Sequence, residues 1–210
     1  PAVKEADIGV AMGITGTDVT RQAADMVLLD DNFATLVSAV EQGRGIYANI
    51  RKFVRYLLSC NIGEVLTMFL GIISGMPMVL MPSQILLVNL VTDGLPAVAL
   101  GVEPCGEENM RKPPRHKDES FFSGGLMFRI VFRGILIGIC TLACFTVMLR
   151  TGAGLGAART GALLTLVMSQ LFHVFECKSE TKNIFTVSYF NNPKLIPVSY
   201  THLRAHETTL

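Results

Sequence analysis

Glu64 and Asp93 are carboxylates set in stretches apolar enough to cross a bilayer, each with amide or hydroxyl neighbours at helical spacing. Asn61 and Glu64 stand at i, i+3 in the run Phe53–Ile73; Asn89, Thr92 and Asp93 stand at i, i+3, i+4 in the run Ile85–Gly101. Each set therefore shares one helix face. A carboxylate near mid-membrane costs at least ~2.5 kcal/mol, so it faces a partner, an ion or water. The five side chains offer carboxylate, amide and hydroxyl oxygens and no thiol or imidazole. Such a set suits a hard cation such as Ca²⁺, which takes about six to eight oxygens; soft metals prefer sulfur or imidazole. Gly94 and Pro96 follow Asp93, and the missing proline donor predicts that the helix unwinds there, freeing carbonyls that can ligate. The competing reading is hydrogen-bonded glue between two helices. Convergence of five such groups favours the ion site, with Na⁺, K⁺ and H⁺ open beside Ca²⁺.

The elements that must position these residues follow from the apolar pattern. Half of the 210 residues are hydrophobic, and they gather into four runs, about 53–75, 83–102, 126–149 and 161–176. A spanning helix needs about 20 apolar residues, which the first three meet and the shorter fourth approaches. Residues 1–32 read differently: Ile8–Met12 and Met26–Leu29 are strand-like, and Thr17 or Asp18 can cap a helix between them. Strand, helix, strand at this spacing predicts a parallel sheet. From Phe33 the pattern is helical, and no proline falls between Asp31 and Met76, so one helix can run from the first region into the first span. The fold class expected is a mainly α membrane protein, a helical transmembrane bundle with a long stalk helix, preceded by a truncated α/β fragment.

Basic residues set the orientation. Arg51, Lys52 and Arg55 flank the first span, and Arg111, Lys112, Arg115 and Lys117 lie in loop 103–125, whereas the turn 76–82 has none. Arg150 and Arg159 sit in the next loop, and Lys178, Lys182 and Lys194 follow the fourth run. An integral, multi-pass chain with its N-terminal segment and loop 103–125 in the cytoplasm is expected. Arg129 and Arg133 can snorkel at the end of the third span. The net charge of +1 and the lack of a basic stripe argue against a nucleic-acid partner; membrane lipid is the expected surroundings. The five cysteines have neither metal-ligand spacing nor a disulfide framework, and read as small buried hydrophobes and reduced loop thiols.

Other polar groups carry less. Gln170 is deep enough on the fourth run to join the site, His173 and Glu176 fall at the interface, and Asp30–Asp31 make a turn and helix start. The stretch Gly13–Thr17 is too short for a phosphate loop and reads as a tight turn. Residues 197–210 are polar and aperiodic and resemble translated adapter sequence, so they stand apart from the fold. The N-terminus lacks an initiating Met and a signal peptide, so the chain is expected to begin inside a larger protein.

Four segments carry a specific resemblance: Lys4–Gly13 (KEADIGVAMG), Asp25–Phe33 (DMVLLDDNF), Glu41–Asn49 (EQGRGIYAN) and Asn89–Ala97 (NLVTDGLPA). They resemble the P-type cation-transporting ATPases, the calcium-pump branch in particular. The resemblance implies that residues 1–32 end a phosphorylation domain of HAD-like, Rossmannoid fold, and that 33–196 form the C-terminal transmembrane domain with helices five to eight. It implies calcium ligands at Asn61 and Glu64 on the fifth helix and at Asn89, Thr92 and Asp93 on the sixth. Gln170 stands where two-site pumps carry an acidic ligand, so one Ca²⁺ or two, and Mn²⁺ beside Ca²⁺, stay open. The implied activity is ATP-driven Ca²⁺ translocation. ATP and Mg²⁺ would act in N-terminal domains of the same polypeptide outside these residues, leaving no catalytic or cofactor-binding residue here. A monovalent-cation ATPase and a non-catalytic ion-binding membrane module are the alternatives.

Overall fold

A short helix α1 (Ala2–Glu5) leads into β1 (Val10–Met12), α2 (Asp18–Ala23) and β2 (Met26–Leu28). The strands pair in parallel with Val10 opposite Met26 and Met12 opposite Leu28, as the strand–helix–strand spacing required. Thr17 caps α2 by accepting from Thr20 N–H at 3.3 Å. This computed structural model describes residues 1–104, 108–111, 113–116 and 118–178. Cys105, Lys112, Lys117, Lys182, Lys194 and the tail 197–210 lie outside the described residues.

The turn after β2 shows what the acidic pair does. Asp31, in the left-handed region at φ 49°, accepts from Ile14 N–H at 2.9 Å, Thr15 N–H at 2.8 Å and the Thr15 hydroxyl at 2.7 Å. The Gly13–Thr17 loop therefore gives two of its amides, those of Ile14 and Thr15, to an internal carboxylate, as a tight turn does. The Ile14 amide, then the Thr15 hydroxyl, hold the Asp31 carboxyl below its usual value. Its neighbour Asp30 is lowered too, by the Thr35 hydroxyl first and the Asn32 amide next. Asn32 accepts from Ala34 N–H at 3.0 Å and so starts the next helix.

That helix, α3 (Phe33–Ile73), is 41 residues long and unbroken, about 60 Å by helix rise. Then come α4 (Pro82–Leu87), a π-helical segment Val88–Asp93, α5 (Gly94–Gly101), α6 (Glu108–Arg111), α7 (Leu126–Arg150) and α8 (Leu155–Cys177). Two compact units result: Pro1–Tyr47 with Cys105–Pro113, and Ala48–Pro104 with Pro114–Leu210. Among the described residues, four helical stretches are long and apolar enough to cross a membrane: α3, Pro82–Gly101, α7 and α8. The last begins at Leu155, ahead of its apolar run. The chain is an integral, multi-pass membrane protein.

Within the second unit, α3 and α7 touch through glycines. A Cβ on Gly134 would lie 2.5 Å from Ile62 Cγ2, and one on Gly63 2.9 Å from Ile137 Cγ2. Close approach of this kind lets dispersion hold helices together where lipid offers no hydrophobic drive. Phe145, Leu166, Val167 and Leu171 join Val79, Leu80 and Val88 in one buried cluster; Tyr56, Cys60, Ala97, Leu100, Val174 and Cys177 form a second.

Candidate cation site

Pro96 shapes the site. It has no N–H for the carbonyl of Thr92, four residues back, and its ring crowds that carbonyl. The expected response is unwinding after Asp93. The structure corrects this: the departure comes earlier, as a π-helical widening over Val88–Asp93, and regular helix resumes at Gly94. A π-bulge absorbs the proline's demands while keeping most backbone bonds, at lower cost than an open chain in an apolar setting. The Thr92 carbonyl accepts from the Tyr56 hydroxyl of α3 at 3.3 Å.

Three helical stretches then bring polar atoms together. Glu64 of α3 is 4% exposed, Asp93 1%, and Thr92 and Gln170 of α8 are fully buried. The Gln170 amide nitrogen donates to Glu64 Oε1 at 2.9 Å and to Asp93 Oδ2 at 3.4 Å, bridging the two carboxylates. Glu64 Oε2 accepts from Asn89 Nδ2 at 2.8 Å, and Asp93 Oδ1 accepts from the Tyr56 hydroxyl at 3.2 Å. Gln170 Oε1 is buried with no hydrogen-bond partner among the described residues.

Four of the five expected residues are thus placed in one region: Glu64, Asn89 and Asp93 joined by these bonds, and Thr92 buried beside Asp93. Asn61 is not brought to them. It is exposed on α3 and donates to Leu57 O at 2.8 Å within its own helix. Gln170 joins, as its depth allowed. Tyr56 was missed, although Tyr56, Cys60 and Glu64 recur every four residues on one face of α3.

The polar groups nearer the helix ends differ from expectation. Arg133 does not snorkel freely: its Nε donates to Glu176 Oε1 at 3.0 Å and its Nη2 binds the same oxygen. Arg55 reaches that carboxylate at 3.4 Å. His173, expected at the interface, is 3% exposed, with its ring 6.0 Å from that of Tyr56 and Nδ1 3.3 Å from Glu176. Among the described residues, no three His, Cys, Asp or Glu side chains form a metal cluster. The oxygen count here depends on amides. Two carboxylates, two amides, a hydroxyl and a carbonyl can furnish the about six to eight oxygens of a calcium-like shell once the amides turn their oxygens inward. Two like charges sharing a dry volume are stabilised by a positive charge between them.

Comparison with known proteins bears on this geometry. The family described as "Cation transporting ATPase, C-terminus" matches residues 77–202, running past residue 197 where the sequence changes character. "Calcium-transporting ATPase" of Bacillus subtilis (strain 168) is 51% identical over 197 residues, covering 93% of this chain and 22% of that protein. "Calcium-transporting ATPase 2, endoplasmic reticulum-type" of Arabidopsis thaliana is 43% identical over 205 residues, 92% of this chain and 19% of that protein. "Endoplasmic reticulum calcium ATPase srcA" of Aspergillus fumigatus is 57% identical over 142 residues, 68% of this chain and 14% of that protein. The chain spans about a fifth of the length of the first relatives it matches, 22% and 24%.

Proposed function

The chain belongs to the cation-transporting P-type ATPases, and on that premise we propose that the protein carrying it pumps Ca²⁺ across a membrane with ATP. Residues 33–196 supply the intramembrane site and residues 1–32 the end of the phosphorylation domain, with the segment 197–210 apart from both. The observation that carries the reading is the pair of buried carboxylates, Glu64 and Asp93, bridged by one amide and flanked by a second. The ligands are Glu64, Asn89, Thr92 and Asp93, with Gln170 added through its unpartnered oxygen. Asn61, exposed in this conformation, joins by a rotation of its side chain away from Leu57. Mn²⁺, also served by oxygen ligands, is a second cargo of the same site.

ATP and Mg²⁺ are used by the family, and we place their sites in domains outside these residues. The turn Gly13–Thr17 gives its Ile14 and Thr15 amides to Asp31. The N-terminal segment faces the cytoplasm by the distribution of basic residues. Domains of the same polypeptide lying N-terminal to Pro1 are its partners, and α3 carries their movement to Glu64.

The test is ATP-dependent uptake by the complete protein in sealed vesicles. We expect Ca²⁺ to stimulate both ATP hydrolysis and its own accumulation. Stimulation by Na⁺ or K⁺ alone would overturn the cargo assignment, and absence of any ATP hydrolysis would favour a non-catalytic ion-binding module.

A further inference from the structure

We propose that Glu103 is a positioning residue for the cation site, fixing the register of the three helices that bear Glu64, Asp93 and Gln170. The proposal rests on the reading that those helices hold the transported cation. Glu103 lies just beyond α5 and is gripped at both ends. Its carboxylate meets Lys52 Nζ of α3 at 2.7 Å through Oε2 and Lys178 Nζ, at the end of α8, at 3.8 Å through Oε1. Its carbonyl accepts from Asn49 Nδ2 of α3 at 2.7 Å, an amide that also reaches Gly101 O at 3.4 Å.

The side chains of Lys52, Glu103 and Lys178 are only 17%, 9% and 4% exposed, so these are not screened surface pairs. Removing the carboxylate leaves two cations facing each other in a confined space, the circumstance in which breaking a buried pair is most disruptive. Chain direction puts the contact at one end of the bundle. Lys52 precedes Glu64, whereas Glu103 follows Asp93 and Lys178 follows Gln170. By helix rise, Lys52 lies about 18 Å from Glu64 and Lys178 about 12 Å from Gln170 along their helices. Glu103 therefore touches no site residue. It acts by setting how far each helix is advanced along its axis, and the Gln170 bridge of 2.9 and 3.4 Å closes only when all three are in step. Three independent partners at one residue form a contiguous physical link of the kind that carries coupling between sites.

The test is equilibrium binding of radioactive Ca²⁺ to the complete protein, comparing wild type with Glu103→Gln and Glu103→Asp. We expect Glu103→Gln to raise the Ca²⁺ concentration for half-saturation about tenfold with the maximum bound unchanged, and Glu103→Asp to stay within about threefold of wild type. A loss of maximum binding and thermal stability with unaltered affinity would mark a merely structural role and overturn the proposal, as would a Glu103→Gln affinity equal to wild type. Should Glu103→Gln fail to fold, Lys52→Met, which removes one partner cation, must weaken affinity in the same direction; unchanged affinity there overturns the proposal. Wild-type protein that binds no Ca²⁺ would instead defeat the cargo reading, a result distinct from any of these.

Discussion

Asp93→Asn lowers Ca²⁺ affinity about hundredfold or more and leaves the cation-free protein folded. The substitution keeps shape and one oxygen but removes one of the two carboxylates that Gln170 bridges. A divalent ion held near a unit charge in a partly desolvated site gains several kcal/mol from that charge, on the order of 4 kcal/mol per unit pair at an effective dielectric of about 20. Losing even part of this is worth two decades of affinity. Stability in the absence of Ca²⁺ moves the other way or not at all. The oxygen of the substituted amide can still accept from the Tyr56 hydroxyl, and a neutral group next to Glu64 relieves the repulsion between two buried anions. Binding isotherms together with thermal unfolding in Ca²⁺-free detergent would check both halves. Parallel losses of affinity and stability would mean that Asp93 only holds helices together.

Gly134→Leu has the largest expected effect on stability. A Cβ at this position would lie 2.5 Å from Ile62 Cγ2, 2.7 Å from Ile62 Cβ and 3.0 Å from Ser59 O. Two of these neighbours cannot yield. The carbonyl belongs to the α3 backbone, and the β-branched Ile62 is stiff at its first torsion. The helices must separate, and overpacking of this kind costs about 1–3 kcal/mol for each forced group, occasionally more. Ile62 is two residues from Glu64, so the displaced helix also draws the carboxylate from Gln170. We expect a fall of several degrees in the unfolding temperature of the complete protein, with weakened Ca²⁺ binding. The contrast within α3 is Gly43, where an added Cβ meets nothing within 4 Å. There, replacement by alanine should stabilise by about 0.5–1 kcal/mol, because a helix-interior glycine gives up backbone freedom for no contact. Equal responses at the two glycines would contradict the packing described.

Much of the architecture was legible because it depends on composition and period. Apolar runs located four membrane-length helices, the lack of proline between Asp31 and Met76 foretold the unbroken α3, and strand-like runs on either side of a capped helix foretold the parallel pair. Spacing also grouped Asn61 with Glu64, and Asn89 with Thr92 and Asp93, since faces follow from the helical repeat. What spacing does not contain is azimuth, that is, which neighbour a face meets. Asn61 shares a spacing relation with Glu64 yet lies exposed in this conformation, because three residues advance a helix by well under a full turn and the boundary between buried and open surface falls between them. Arg133 reads as a snorkelling side chain until the α8 carboxylate of Glu176 is placed within its reach. Pro96 pointed to unwinding just after Asp93, whereas the departure falls ahead of it, over Val88–Asp93. The Thr92 carbonyl, to which Pro96 has no N–H to donate, meets a Tyr56 hydroxyl from another helix. Tyr56 itself hid as an ordinary aromatic residue at the start of a span.

The central claim is that Glu64 and Asp93 jointly hold the transported cation, and the most direct measurement is a structure of the complete protein saturated with Ca²⁺. Density is expected between the two carboxylates, with an oxygen of each at about 2.3–2.6 Å. The Gln170 amide is expected to turn so that Oε1, a buried oxygen with no hydrogen-bond partner among the described residues, faces the ion. Ca²⁺ bound elsewhere, with the Gln170 nitrogen still spanning Glu64 and Asp93, would contradict that claim.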